Sequence, residues 1–187
     1  QAQLDRWVDQ YFAPIARPAA AIPRVKVTEP PRQGRRYTVY EPNTPLPAVL
    51  VTYPLPPASS DDAAVIEVID TILSGGRSSR FYQSLVYSQR LATDAGTSPD
   101  VKQGQGVLAA YAILASGKSA EEGEAALRAE VSRLAFEPVT ATELAEAKNE
   151  LLTSALRERE RADGKASALA EAVILAGDPK AADRRLA

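Results

Sequence analysis

Histidine, cysteine and methionine are all absent from these 187 residues. Without histidine, Ser-His and Cys-His nucleophile systems and every His-ligated zinc site lie beyond what this chain can build alone. Without cysteine there is no disulfide, no thiol nucleophile and no iron–sulfur ligation, and the redox compartment leaves no trace. A surplus of positive charge is missing too: 22 Lys+Arg stand against 24 Asp+Glu, a net −2, with a pI near 5.4. A dedicated nucleic-acid binder would carry a basic excess, so no nucleic-acid partner is expected. No apolar run approaches the ~20 residues of a membrane span, so none is expected either. Methionine is missing even from the first position, held by Gln1, which leads to the expectation of a piece of a longer chain.

What is present is the material of a folded domain. Apolar residues make up 45% and charged residues 25%, enough for a real core at this length. In LDRWVDQYF, residues Leu4, Trp7, Val8, Tyr11 and Phe12 fall at i, i+3, i+4, i+7 and i+8, the spacing of an amphipathic helix. Pro14 and Pro18 stop it. Eleven of the 14 prolines lie between Pro14 and Pro57, so the chain up to Gly34 reads as an extended linker, stiffened by Pro30-Pro31.

Arg35–Glu41 (RRYTVYE) alternates and carries Tyr, Thr and Val, which predicts a strand; AVLVTY (Ala48–Tyr53) predicts a more buried one. A helix follows, with Ser59 or Ser60 as cap, Asp61 and Asp62 in its first turn, and Val65, Ile66, Val68, Ile69, Ile72 and Leu73 on its buried face. Gly75 or Gly76 ends it, and Ser78 or Ser79 opens another helix, to about Gln89. TDAGTS and QGVLAAYAIL predict two further strands around PDVKQGQ. Ser119 with Glu122 predicts a capping box, with Ala126, Leu127, Val131 and Leu134 facing inward. Thr140 or Thr142 caps the next helix, whose Leu144, Ala147, Leu151 and Ala155 face the core. A weaker helix, a Gly-Asp-Pro break and a short helical start complete the order. Strand pair, helix pair, strand pair, helices: this is an α+β layout, an antiparallel sheet with helices on one face.

The densest cluster of polar and glycine residues is LSGGRSSRFYQSLVYSQRLA, Leu73 to Ala92. A phosphate loop would need spaced glycines after a strand and a Lys opening the helix; here the glycines adjoin, a helix precedes them and no Lys follows. Arg77, Arg80 and the amides of the following helix could still hold an anion, against a plain helix break with surface arginines. Glu143, Glu146 and Glu150 form an i, i+3, i+7 stripe that reads as a solvated face rather than an acid/base or metal site. Ser78 and Ser79 have no base to activate them.

The order of elements around this stretch resembles the pitrilysin/insulinase-type zinc metallopeptidases. AVLVTYPLP, an Asp-led helix ending I-L-x-G-G, and R-S-S-R-x-Y-x-x-L-V-Y resemble the half-domain those proteins place after their zinc-binding half. VDQYFAPI resembles the helix that closes the preceding half, and VTATELAEAKNELL the helix after the second strand pair. The resemblance implies residues 1–34 as closing helix plus Pro-rich linker, and 35–187 as an α+β half-domain incomplete at its end. Gly75, Gly76, Arg77, Ser78, Ser79, Arg80 and Tyr82 are then structural members of the family motif.

In that family, zinc sits on a His-x-x-Glu-His helix plus a distant Glu, the first Glu serving as base for a zinc-bound water. The resemblance therefore implies zinc for the parent protein, none in this chain, and no catalytic or metal-binding residue here. Implied partners are the zinc-binding half, upstream or on another subunit, and a peptide substrate held in a closed chamber of which this half forms one wall. Second halves of the family supply an Arg and a Tyr, seven residues apart, that reach the substrate; here those positions hold Val86 and Thr93. In two-subunit members it is the His-bearing chain that lacks this pair, so the chain resembles part of such a chain. The missing final strand would leave a sheet edge open to self-association. A scaffold subunit of the same family without catalysis, and an anion-binding module built on Gly75 to Arg80, stand as alternatives.

Overall fold

The computed structural model describes residues 2–21, 23, 30 and 33–184. The chain divides into two compact units, Gln1–Glu41 and Pro42–Ala187. Much of the Pro-rich linker, Pro31 included, and the last three residues lie outside the described residues.

In the first unit, helix α1 spans Ala2–Tyr11. Its apolar stripe is the one expected, and Leu4, Trp7, Val8, Tyr11 and Phe12 are all exposed. Arg35–Glu41 does not form the expected strand, and Tyr37, Val39 and Tyr40 are exposed. Alternation prepares a segment for a ladder but does not supply the partner. Pro42 and Pro47 flank the connection to the next strand and remove the N–H donors that the first hairpin rungs would need.

The second unit is built on an antiparallel sheet in the order β1-β3-β2, from β1 (Ala48–Leu55), β2 (Ala92–Asp100) and β3 (Gly106–Leu114). The register pairs Val51 with Ala110 and Thr97 with Ala110 across the two ladders, with a bulge between Ala92 and Asp94. Period-two alternation gives the sheet two unlike faces. Val51, Leu55, Leu108, Ala110, Ala112 and Leu114 are buried toward the helices, whereas Leu50 and Ile113 are exposed on the other side.

Helix α2 (Ala63–Ser74) packs on β2, and α3 (Ala120–Phe136) packs on β1 and β3. Leu73, Phe81, Leu85, Leu114 and Leu127 are the largest fully buried side chains, so each of these elements contributes to one core. Burying each such side chain contributes about 2 kcal/mol. Helix α4 (Ala141–Glu158) lies on α2 as a second layer, through Ala147. Helices α5 (Ala162–Ala176) and α6 (Ala181–Arg184) pack together across Gly177, whose φ of +69° makes the reversal. Arg159 at the end of α4 holds the Asp183 carboxylate at 3.1 Å and the Ala182 carbonyl.

The expected Ser119–Glu122 capping box forms, and Thr140, one of the two cap candidates, forms a second with Glu143. The Ser119 hydroxyl accepts from the Glu122 amide and the Glu122 carboxylate from the Ser119 amide; Thr140 and Glu143 do the same. The start of α2 differs from expectation. Ser60 accepts the Asp62 amide at 3.2 Å in the turn before the helix, so Asp61 and Asp62 precede the first turn. Val65 and Leu144, read as inward-facing, are exposed; each sits at the border of an apolar stripe wider than the neighbour that covers it.

Candidate functional site

Gly75 and Gly76 end α2 for different reasons. A Cβ at Gly75 would lie 2.5 Å from the Thr71 carbonyl oxygen and 2.8 Å from a Glu150 carboxylate oxygen, whereas Gly76 faces open space but adopts φ +66°. The chain then turns. The Ser79 hydroxyl, buried, donates to the Gly76 carbonyl at 2.8 Å and accepts the Tyr82 amide at 3.4 Å. Gln83 donates to the Arg77 carbonyl at 2.6 Å. Ser78 and Arg77 are exposed, and Tyr82 is half-buried.

Arg80 is engaged within the chain through two of its three side-chain nitrogens, its Nη1 being buried without a hydrogen-bond partner among the described residues. Its Nε donates to one oxygen of Glu143 at 2.8 Å and its Nη2 to the other at 3.2 Å, with the arginine side chain only 9% exposed. The same Glu143 completes the cap of α4. The guanidinium, then the Thr140 amide and hydroxyl, hold its carboxyl well below the usual range, at about 2. The GGRSSR corner is thus a joint that fixes α2, the following helical segment and α4 together. Glu143, first of the carboxylate stripe, belongs to this joint, and Glu146 is exposed. Among the described residues no group of three Asp or Glu could hold a metal ion.

The helical segment after the corner is a π-helix, Tyr82–Ser88, rather than the α-helix its spacing suggests. Wider turns let Leu85 reach the core while Ser84 turns to α3. There the buried Glu130 accepts from Ser84 at 2.5 Å and from Arg133 at 2.8 Å, and Gln89 donates to Ser84 at 2.7 Å. The segment closes at Arg90, whose φ of +49° is left-handed for a residue that disfavours it. Sequence spacing carries no signal for a π-turn.

Val86 lies on this π-helix and packs against the main core. Thr93 lies in the β2 bulge, exposed, with its hydroxyl donating to the Ile113 carbonyl at 3.2 Å. Tyr87, one position from Val86, is 70% exposed. On the helix side of β2, Thr97 donates to the Asp70 carboxylate at 2.5 Å and meets the Ser74 hydroxyl at 2.7 Å. Burial pushes the Asp70 carboxyl up, against the hydrogen bond from Thr97. This triad ties α2 to the sheet.

The face of the sheet turned away from the helices is the surface that sequence reasoning did not single out. Leu50 of β1, Tyr111 and Ile113 of β3, and Asp94 and Gly96 of β2 share it by register, Tyr111 lying between Leu50 and Gly96. Leu50 is 64% exposed. The Tyr111 ring lies flat on Gly96: a Cβ there would come within 2.9–3.1 Å of its hydroxyl end. Its hydroxyl donates to Asp94 at 3.2 Å, and burial first, then the neighbouring carboxylate, raises the phenol above its ordinary value. Only the period-two alternation of β3, with Tyr111 among small residues, hinted at it.

Among known proteins, the family model of the peptidase M16 inactive domain matches residues 1–151. A search of curated proteins finds no match. Among solved structures, a protease from Helicobacter pylori superposes with a TM-score of 0.91 at 21% identity; the match covers all of this chain and 45% of that one. A Bordetella pertussis Tohama I protein carrying the name of a zinc protease gives 0.68 at 28% identity, over 79% of this chain and 80% of its own. The inactive peptidase domain of a similarly named Bordetella parapertussis protein gives 0.65 at 25% identity, over 74% and 75%. The chain therefore spans less than half the length of the Helicobacter pylori protease whose fold it shares.

Proposed function

The chain belongs to the peptidase M16 inactive-domain family, and from that premise we propose that it is the non-catalytic half of a zinc-dependent endopeptidase. It forms one wall of a peptide-binding chamber whose His-x-x-Glu-His half lies outside this sequence. The observation that carries this reading is the sheet face with Leu50, Tyr111 and Ile113, on which, among the described residues of the second unit, no helix packs. Within the second unit this leaves the apolar face a surface on which an extended peptide can lie. The second unit supplies the backing: Arg80–Glu143 and Ser84–Glu130 lock the helices that hold the sheet.

The residues present do not fit zinc. The sequence has no His and no Cys, and carboxylates alone are not a set from which this family's zinc centre could be assembled. This chain's own residues therefore carry no catalytic step; zinc and the activated water belong to the other half.

A second reading is a scaffold subunit of the same family without catalysis; Val86 and Thr93, which cannot donate to a substrate as the family's Arg and Tyr do, give this half no direct part in catalysis under either. One experiment separates the readings. The purified chain with zinc is expected to show no chelator-sensitive cleavage of a fluorogenic peptide, and supplying a His-x-x-Glu-His half is expected to restore it. Cleavage by the chain alone overturns the non-catalytic assignment; failure of every zinc-binding partner half to restore cleavage favours the scaffold.

A further inference from the structure

The open sheet face is apolar at its centre and carries charge only along β2. Its β1 positions are Ala48, Leu50, Thr52 and Pro54, its β3 positions Val107, Ala109, Tyr111 and Ile113, and its β2 positions Asp94, Gly96, Ser98 and Asp100. Both charged residues are acidic. Asp100 is neutralised by Lys102 at 2.8 Å. Asp94 is exposed, and its carboxylate accepts from the Tyr111 hydroxyl with no cation of the described residues paired to it.

We propose that Asp94 and Tyr111 form a recognition site for a cationic side chain, Arg or Lys, carried on an extended apolar peptide that lies across this face. The reading rests on the chamber-wall function proposed above and names the class of peptide that wall selects. Charge complementarity argues it: a carboxylate with no cation among the described residues paired to it, beside an apolar strip, complements a cation flanked by apolar residues. The ring adds to this, since it lies on Gly96 with one face down and turns its other face, negative at the centre, toward the space above the sheet. A guanidinium over that face meets the ring quadrupole and the Asp94 carboxylate together. The hydrogen bond to Asp94 fixes the ring in place, so the site is formed before the peptide arrives. Leu50, the cross-strand neighbour of Tyr111, offers the adjoining apolar contact.

The test uses the ¹⁵N-labelled 187-residue chain and two probes, acetyl-Val-Leu-Arg-Leu-Val-amide and its Arg→Gln counterpart. Binding is followed through the amide resonances of Asp94, Gly96 and Tyr111. The Arg peptide is expected to bind about fivefold more tightly than the Gln peptide, with an affinity that falls as salt is raised. In Asp94→Asn the two peptides are expected to bind alike; Tyr111→Phe, which keeps the ring, is expected to retain most of the preference. The salt dependence reads out the same carboxylate without any substitution. Equal affinity of both peptides at this face overturns the cation site and leaves the wall intact. If neither peptide moves these resonances, the wall reading falls with it. Shifts at Gly96 that depend on protein concentration alone, with a dimer in sedimentation, also overturn the proposal and assign the face to a second copy.

Discussion

Arg80 and Glu143, 63 residues apart in sequence, meet through two parallel hydrogen bonds while Glu143 also caps the helix it begins. One carboxylate therefore joins the end of the GGRSSR corner to the start of α4. Its folded pKa of about 2 lies below the ordinary carboxylate value, so ionised Glu143 stabilises the fold at pH above that ordinary value. This contribution is lost as pH falls from the ordinary carboxylate range through about 2. Glu143→Gln is expected to cost about 1–2 kcal/mol at pH 7, with a smaller difference from the parent at pH 3. Urea unfolding at the two pH values checks it; equal differences at both would show that the charge contributes nothing.

The two glycines of the corner are predicted to fail differently. Gly76→Ala adds a Cβ in open space but at φ +66°, a cost of about 1 kcal/mol. Gly75→Ala places its Cβ against the Thr71 carbonyl oxygen, which is backbone and cannot move alone; a larger loss is expected, with weakened packing of α4 where Glu150 approaches. Replacing Gly76 by Asn, which tolerates the left-handed region, should recover most of the first loss and serves as its control.

Much of this arrangement was legible. Ser119-x-x-Glu122 announced its helix because a capping box is a local device with a fixed spacing, and Thr140 was one of two cap candidates for the next. GGRSSR was readable as a helix break, and the alternation in β3 as a strand. That Arg35–Glu41 forms no strand was not legible, because alternation describes one segment while a ladder needs two. Arg80 as the partner of Glu143 could not be found from spacing, since tertiary folding alone brings residues 63 apart together. The π-helix escaped for a related reason: Ser84 and Glu130, 46 residues apart, meet only in the folded chain. The open sheet face was missed because its residues come singly from three strands.

Glu130 is predicted to be the anchor of that π-helix. Buried to 5% exposure, its carboxylate is served by Ser84 and Arg133 on opposite oxygens. Glu130→Ala leaves the Ser84 hydroxyl and part of the Arg133 guanidinium without their acceptor, at a cost of about 2–3 kcal/mol. Ser84→Ala removes only the donor and should cost about 1 kcal/mol. Hydrogen exchange of residues 82–91 is the sharper readout: both variants should speed it there, while amides in β3 change only with global stability. Uniform acceleration across the chain would assign Glu130 to general packing.

Val86 and Thr93 occupy the positions where the family resemblance places Arg and Tyr, and the structure predicts that restoring the two is not symmetrical. Thr93 is exposed on the bulge, and its hydroxyl gives one hydrogen bond to the Ile113 carbonyl. Thr93→Tyr puts an aromatic ring on a strand that favours one, and a change within 0.5 kcal/mol is expected, about the size typical of surface substitutions. Val86 packs against the core cluster that contains Leu85, Leu91 and Leu127. Val86→Arg exchanges that contact for a cation that must reach solvent along its stem, at about 1–2 kcal/mol. Thermal unfolding of the single variants and the pair measures this directly. A destabilised Thr93→Tyr beside a tolerated Val86→Arg would mean that the π-helix, rather than the bulge, is the adaptable part of this surface.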